Sequence, residues 1–407
     1  MARLTLVRVA LLSDCYLPRL GGIEVQVHDL AHHLVMAGHD VEVITATAGE
    51  TREHTTETEQ VVAPGSDGSQ NGTVTVHRLP LPIPGAPPIN PFVKDEVREL
   101  LTRTPFDVAH GHMGVVSPFA TDMIGVALEA GLPTAATWHC VIDRSAPVFR
   151  ALGHARRWGE AGAALSAVST MAAERVALIT GDDSARATVK VLNNGIDVAQ
   201  WRPSISPSPS PRADTVAPAD DGVVRIVSAM RFVQRKRPGA LVDVLRAARE
   251  QLDASAPGTM LEAHLVGDGP QRRLIAAQLE RHGIDWIHLP GRVTREHLRE
   301  LHWRSDIYVT TARLEAFGIA ALEARTAGLV VAARAGTGVE DFVTDGRNGI
   351  LRSSDDDLAT GLAQLASRPD ELARLRAHNV GSPPAQSWDR VVETTLAEYA
   401  RAQRGAS

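Results

Sequence analysis

The sequence predicts an α/β protein of two Rossmann-like, doubly wound domains, and three observations carry that prediction. Short runs of Val, Ile, Leu and Ala alternate with amphipathic helical stretches along the chain. That is the pattern of parallel βαβ units, which need helices on both faces of the sheet. One segment, 203–222 (PSISPSPSPRADTVAPADDG), is rich in Pro, Ser and Asp with almost nothing to bury, and reads as a linker. The 407 residues suit two domains of about 100–200 residues each.

In the first half, Leu6–Leu12 reads as a strand and Gly21–Gly22 as the loop after it. Ile23, Val27, Leu30, Ala31 and Leu34 then recur at helical spacing, and Gly38 closes the helix as a C-terminal cap. Val41–Thr45, Asp107–Ala109, Pro133–Thr137, Leu165–Val168 and Val189–Leu192 read as further strands. Residues 48–75 contain GETREHTTETEQ and GSDGSQNGT, and are too long for an ordinary connection. They read as either a disordered or a functional segment. The prolines from Pro80 to Pro91 keep the next stretch extended. After the linker a second series begins: Val223–Ser228, Glu262–Val266, Trp286–Leu289, Asp306–Thr310 and Val330–Ala333. Near the end Trp388, Val391, Val392, Leu396 and Tyr399 form an apolar stripe at helical spacing. The expected domains are therefore 1–202, a linker at 203–222, and 223–384, followed by a last helix over 385–407.

The composition excludes several functions. Hydrophobic residues make up 44% and charged residues 22%, which is ordinary for a chain that buries real cores. The net charge of −6 argues against nucleic-acid binding, which needs a basic face to release counterions. Cys15 and Cys140 make no disulfide framework, and their bland reading is a reducing cytosol. Arg8 interrupts the first apolar run and Asp14 ends it, so the N-terminus reads as a buried strand and not as a signal peptide. No run reaches 18 uninterrupted apolar residues, so no transmembrane helix is expected. The expected location is cytoplasmic, and any membrane contact would be peripheral, at the inner face.

Four features carry chemistry. The first is EAFGIAALE, Glu315 to Glu323, just after a strand end. Helix is expected from Phe317 onward, with Gly318 in its first turn, where bare backbone amides and the helix N-terminus favour an anion. A loop carboxylate before that turn can meet sugar hydroxyls, and one two turns in can take a vicinal diol such as ribose. The second is AMRFVQRKRP, which puts Arg231, Arg235, Lys236 and Arg237 after the first strand of the second series. Arg grips a diphosphate with parallel donors, while Lys acts as a point charge. The third is Gly21–Gly22, a loop without side chains that lets a phosphate or sugar come close.

The fourth feature is the histidines. His110 and His112 end one strand and His139 ends the next, so all three are expected at one rim. A zinc site there lacks a completing carboxylate or Cys cluster. The reading is one catalytic or sugar-contacting histidine, with the others structural. A dinucleotide fingerprint is absent: Gly267-Asp268-Gly269 has its first two glycines, but Arg272 takes the third position.

Taken in order, these pieces resemble glycosyltransferase family 4, the retaining enzymes of the GT-B fold. YLPRLGGIE at 16–24, HGH at 110–112, TWH at 137–139, NNGID at 193–197, RFVQRK at 231–236, VGDGP at 266–270 and EAFGIAALE at 315–323 span nearly the whole chain. Each motif alone is common; the ordered set is not.

The resemblance implies a GT-B fold, two Rossmann-like domains facing across a cleft, with a last helix that crosses back onto the first domain. It implies transfer of a hexose from a nucleotide diphosphate sugar, UDP- or GDP-linked, to an acceptor that is a glycan, a lipid-linked group or a small alcohol. No metal and no cofactor beyond that donor are implied. Arg231 and Lys236 would bind the diphosphate, Glu323 the ribose, and Glu315 the transferred sugar. The backbone of Phe317, Gly318 and Ile319 would help hold the sugar diphosphate, and Val293 with Arg292 would frame the base. Gly22 would approach the donor from the first domain, and His139 would contact the sugar. Arg144, Arg150, Arg156 and Arg157 would face an acidic acceptor or a phospholipid headgroup, or else form a solvated helix face.

One departure from the family is that Arg237-Pro238 follows Lys236 where Gly is usual. The alternatives on this two-domain plan are a nucleotide-sugar epimerase, a phosphorylase, and a nucleotide-sugar-binding protein without turnover. A phosphorylase needs pyridoxal phosphate on a lysine, and Lys94, Lys190 and Lys236 sit in no matching context.

Overall fold

The computed structural model describes residues 6–19, 21–62, 70–83, 85–143, 145–181, 189–203 and 222–406. The chain falls into two compact units, Met1–Gly195 with Gln386–Ser407, and Ile196–Ala385.

The first unit is an eight-stranded sheet with helices between its strands. In chain order its elements are β1 (Arg8–Ser13), α1 (Gly22–Met36), β2 (Asp40–Thr45), β3 (Thr55–Val62), β4 (Gln70–Arg78), α2 (Lys94–Arg103), β5 (Val108–Met113), α3 (Pro118–Glu129), β6 (Thr134–Trp138), α4 (Ala146–Leu152), α5 (His154–Glu160), β7 (Ala164–Ala167), α6 (Thr170–Thr180) and β8 (Lys190–Val191). The strand order is β3-β4-β2-β1-β5-β6-β7-β8, parallel throughout except for the β3–β4 pair. β1 sits mid-sheet, and its Val9–Leu12 run is fully buried, as a parallel strand covered on both faces requires. Gly38, at φ +91, ends α1 in the left-handed conformation, with its amide donating to the Val35 carbonyl.

Much of the polar stretch 48–75, read as either disordered or functional, is ordered strand. Residues 55–62 and 70–78 are strands, and 63–69 lie outside the described residues. β3 (TTETEQVV) is an edge strand with polar side chains on both faces, so alternating hydrophobicity does not mark it. β4 pairs on its other side with β2 and buries Val74 and Val76. Gly195, where the first unit's first stretch of chain ends, is clamped by Gln26, whose amide donates to the Gly195 carbonyl at 3.1 Å and accepts from the Gly195 N–H at 2.9 Å.

The second unit contains α7 (Val198–Trp201), β9 (Val223–Ala229), α8 (Pro238–Ser255), β10 (Met260–Val266), α9 (Arg272–Arg281), β11 (Ile287–Gly291), α10 (Arg295–Trp303), β12 (Ile307–Val309), α11 (Ile319–Thr326), β13 (Val330–Arg334), β14 (Gly349–Arg352), α12 (Asp355–Ala366) and α13 (Pro369–Gly381). Its six parallel strands run β11-β10-β9-β12-β13-β14. The unit begins at Ile196, ahead of the Pro/Ser/Asp segment, because α7 packs here. The Trp201 carbonyl accepts from the Trp303 indole N–H at 2.9 Å, and the Trp201 ring lies 5.3 Å from His302. Residues 204–221, nearly all of the expected linker, lie outside the described residues.

After α13 the chain returns to the first unit, to which residues 386–407 belong. Their helix, α14 (Trp388–Gly405), stacks Trp388 on His33 at 4.7 Å. Its Arg401 donates to the Leu165 carbonyl at 2.7 Å.

Both cysteines are free thiols, and burial pushes the Cys15 thiol up to about 12. Among the described residues, no helix is long and apolar enough to cross a membrane.

Candidate active site

The second sheet reverses its strand order at β9, with β10 on one side and β12 on the other. Such a switch point opens a crevice beyond the C-terminal ends of the strands, where α/β sheets bind ligands. The loops after β9 and β12 carry Arg231, Lys236 and Glu315 to that place.

The β9 loop is fixed by its neighbour. The Met230 N–H donates to the Val266 carbonyl at 3.0 Å, and the Phe232 N–H donates to the Asp268 carbonyl at 2.9 Å. A Cβ on Gly267 would stand 1.9 Å from the Met230 carbonyl oxygen, so the VGDGP segment needs glycine for this packing. Phe232 is fully buried and anchors the loop, while Arg231 beside it is exposed. Lys236 ends a single 3-10 turn, Gln234–Lys236, and its Nζ forms an ion pair with Glu315 Oε2. Both side chains are largely sheltered, at 20% and 15% exposure.

Arg237 does not join them. It is the one non-glycine residue with positive φ among the described residues, at φ 55 and ψ 47. An L residue is strained in this left-handed position, where glycine would not be. Here the guanidinium is bound instead to both Asp355 oxygens, at 3.0 and 2.5 Å, and to the Thr311 carbonyl at 2.9 Å. Those bonds hold the Arg237 pKa above its ordinary value and the Asp355 carboxyl below its own. Of the four cations in this loop, Arg237 is therefore structural.

On the β12 side, the Glu315 carbonyl accepts from the Gly338 N–H at 2.9 Å. α11 starts at Ile319, two residues later than expected, because Gly318 is its N-cap at φ +93. A Cβ on Gly318 would stand 2.8 Å from Val339 Cγ2, so the cap is both left-handed and crowded. Phe317 turns its ring into the core against Phe342, 5.3 Å away. It can offer a ligand only its backbone. Ile319 is half-buried.

Glu323 lies in the second turn of α11, with 13% of its side chain exposed and Arg295 Nη2 3.8 Å from its carboxylate. Sequence reasoning missed Arg295, which stands two residues after Val293 at the start of α10. A positive residue four before an acid on one helix would have flagged it, but these two come from different helices. Beneath the site, burial and the charges of Glu315 and Glu323 push the Tyr308 phenol far up, and its hydroxyl donates to the Ala229 carbonyl at 3.3 Å. One buried ring thus feels both glutamates. The structure brings Lys236 and Glu315 into contact and puts Glu323 within electrostatic reach of the same Tyr308.

In the first unit the three histidines come together as expected, with ring centroids 4.2 Å apart for His110 and His112 and 5.2 Å for His112 and His139, but they differ in burial and partners. His110 is fully buried. Its Nδ1 pairs with the Tyr399 hydroxyl of α14 at 3.0 Å and its Nε2 with Thr137 Oγ1 at 2.7 Å, so both nitrogens are used in the core. His112 is 2% exposed and shares a hydrogen bond with His139 Nε2 at 3.0 Å. His139 alone is half-buried. Burial holds all three neutral: His110 falls to about 3, His112 well below its ordinary value, and His139 to about 4, with the Asn194 side chain raising the last slightly. The three are not among the metal-capable groups of the described residues, which are His28, His32 and Glu59, and Glu262, His264 and His288. Gly22 is exposed at the first position of α1.

Elsewhere on this unit, a cleft of about 320 Å³ is lined by Val116, Trp138, Phe149, Leu152 and Trp158. Arg150, Arg156 and Arg157 on α4 and α5 are exposed, and Arg144 lies outside the described residues.

The chain matches two family models, "Glycosyltransferase Family 4" over residues 20–200 and "Glycosyl transferases group 1" over residues 212–379. It is 24% identical to a subunit of the phosphatidylinositol N-acetylglucosaminyltransferase of Arabidopsis thaliana, over 99% of this chain and 83% of that one. It is 30% identical to a D-inositol 3-phosphate glycosyltransferase of Geodermatophilus obscurus, over 73% of this chain and 67% of that one. Among solved structures, Anabaena HepE in complex with UDP and glucose superposes with a TM-score of 0.67 at 17% identity, covering 96% and 98% of the two chains. The catalytic domain of Arabidopsis thaliana starch synthase IV, bound to ADP and acarbose, also gives 0.67, at 15% identity and covering 98% and 99%. These two likenesses are of fold, the GT-B arrangement of two Rossmann-like domains.

Proposed function

The chain belongs to glycosyltransferase family 4, and from that premise we propose that it moves a hexose from a nucleoside diphosphate sugar to an alcohol acceptor, with retention and without a metal ion. The observation that carries this reading is the ion pair of Lys236 with Glu315 at the switch point of the second sheet.

The chemistry follows from charge. As the C1–O bond to the diphosphate breaks, negative charge grows on the leaving phosphate. Arg231, Lys236 and the amides at the start of α11 offer positive charge where it develops, the role a metal ion plays elsewhere. Lys236 exchanges part of its contact with Glu315 for the phosphate. The Glu315 carboxylate then takes hydroxyls of the transferred sugar. Glu323, steadied by Arg295, takes the ribose diol, and the backbone at Val293 borders the base. The acceptor oxygen attacks C1 from the face the diphosphate leaves. Its proton passes to the departing phosphate oxygen, so one C–O bond forms as one breaks. His139, neutral near pH 7, contacts the sugar from the first unit, with Gly22 giving a bare approach to the donor.

For the acceptor, the reading is a phosphorylated inositol group. Two relatives of this chain are named for phosphatidylinositol and for D-inositol 3-phosphate. The exposed Arg150, Arg156 and Arg157 suit a phosphate, and the apolar cleft beside them suits a lipid portion. The test is a thermal-shift screen with UDP, GDP and ADP sugars, since a ligand that binds only the native state raises its stability. The best donor is then assayed with free inositol 3-phosphate and with phosphatidylinositol vesicles. Transfer to either supports the acceptor class and tells the two sources apart; sugar-nucleotide binding with no transfer to any alcohol would refute turnover.

A further inference from the structure

Outside these loops the first unit brings together three side chains that the proposed transfer does not use. His28 and His32 stand one turn apart on the same face of α1, and Glu59 reaches them from edge strand β3. One ligand atom from each lies within 4.8 Å of the others. We propose that His28, His32 and Glu59 form a binding site for a divalent transition-metal ion, zinc foremost.

The distances suit such an ion. His32 Nε2 lies 3.4 Å and His28 Nε2 4.0 Å from Glu59 Oε2. Zinc–nitrogen and zinc–oxygen bonds of about 2.0–2.1 Å put neighbouring tetrahedral ligands roughly 3.4 Å apart. The two imidazoles sit side by side, ring centroids 4.1 Å apart and tilted by 33°. Small side-chain rotations bring all three atoms onto one ion.

The surroundings orient the ligands. His28 Nδ1 lies 3.0 Å from Asp29 Oδ1. A carboxylate only accepts, so Nδ1 donates in that bond and Nε2 is the nitrogen turned toward Glu59. A carboxylate behind the far nitrogen of a ligating histidine is the usual support of a metal site. The Tyr16 hydroxyl donates to Glu59 Oε2 at 2.8 Å and fixes that carboxylate. Burial works against the Glu59 charge, but the bonds from His32 and Tyr16 keep its carboxyl below its ordinary value. Two imidazoles and one carboxylate suit zinc and its neighbours over magnesium or calcium. The three side chains are 20–24% exposed, so water can complete the shell. Arg78 Nη2 stands 3.9 Å from the other oxygen of Glu59, Oε1, and leaves Oε2 facing the two histidines. The other group, Glu262 with His264 and His288, is weaker, because Arg225 sits 3.5 Å from Glu262 and His288 is 46% exposed.

A bound ion would tie edge strand β3 to α1. The test uses the full chain, stripped with a chelator, dialysed, and titrated with zinc chloride by calorimetry. The wild type is expected to bind one equivalent, and zinc to raise its Tm. Asp29→Asn should weaken binding about 10- to 100-fold. His28→Asn combined with His32→Asn should abolish both the binding and the Tm rise, and Glu262→Gln should change neither. Cobalt should give the visible bands of a tetrahedral site in the wild type and not in the double variant. Glu59→Gln replaces the double variant if that one unfolds, and should likewise lose binding. No saturable zinc binding by the wild type, or equal zinc binding in the ligand variants, would overturn the proposal.

Discussion

Lys236 and Glu315, 79 residues apart in sequence, meet as an ion pair where the second sheet reverses its strand order. Among the described residues, each is the other's ion-pair partner. Lys236→Ala and Glu315→Ala should each lower kcat/KM about 100- to 1,000-fold, the scale seen when one charge-stabilising group is removed. The double variant should lose less than the product of the two, because the residues share one interaction. Steady-state kinetics with circular dichroism as a fold control checks this, and full activity in either single variant would remove the pair from the site.

Arg237, one residue after Lys236, should behave in the opposite way. Its guanidinium is committed to Asp355 and Thr311. Arg237→Ala should cost roughly 1–2 kcal/mol of stability, allowing for solvent screening of this partly exposed pair, and leave donor KM unchanged. Arg237→Gly should be less destabilising than Ala, since glycine removes a left-handed penalty of about 1–2 kcal/mol. Denaturant titration beside donor KM reads both effects, and a raised KM in Arg237→Gly would make Arg237 a ligand.

The histidine trio divides in the same manner. His110→Ala removes two buried hydrogen bonds and leaves a cavity under α14, and should cost roughly 2–4 kcal/mol. His139→Ala should be milder for stability and should lower turnover. Thermal unfolding together with kcat separates the two, and an inactive but fully stable His110→Ala would reverse the assignment.

His302 supplies a pH test. It is fully buried between Trp201 and Tyr308, and neither ring nitrogen has a hydrogen-bond partner among the described residues. Burial lowers its pKa from 6.5 to about 3. The unfolded chain therefore takes up a proton between those values while the folded chain does not, so stability is full above about 6.5 and falls with pH below it. His110, His112 and His139 act with the same sign. Asp14, raised to about 6 by burial against its bonds from Ala120 and Phe119, acts with the opposite one. His302→Leu should flatten the fall between pH 7 and 4 and, by removing two unpaired buried nitrogens, should add about 1–3 kcal/mol or cost nothing at pH 7. An unchanged pH slope would contradict this account.

A chelator should leave turnover intact, because positive side chains and helix amides are proposed to neutralise the leaving group. The zinc-site proposal allows a chelator to lower Tm but not kcat. A strict metal requirement for transfer would contradict the mechanism while leaving the zinc site standing.

The parallel strands of the two sheets were legible because fully buried strands read as apolar runs, from Val9–Leu12 to Val330–Ala333. β3 was not legible: its Thr and Glu side chains face solvent and Arg78, so no hydrophobic period marks it. The site loops were legible as ordered motifs, and the strand ends of β9 and β12 carry them. What the motifs could not tell was which like residues share a job. Arg237 looks like Lys236 in sequence and differs by a backbone angle and one acidic partner. His110 looks like His139 and differs by the helix 289 residues away that covers it. Both distinctions depend on contacts distant in sequence, as does the meeting of Glu59 with His28 and His32.

The most direct test of the donor assignment is a crystal structure of the full chain with a nucleoside diphosphate, UDP first. The account predicts ribose hydroxyls on the Glu323 carboxylate and the terminal phosphate against Lys236 and Arg231. Ribose bound away from Glu323, or a phosphate that meets neither cation, would contradict it.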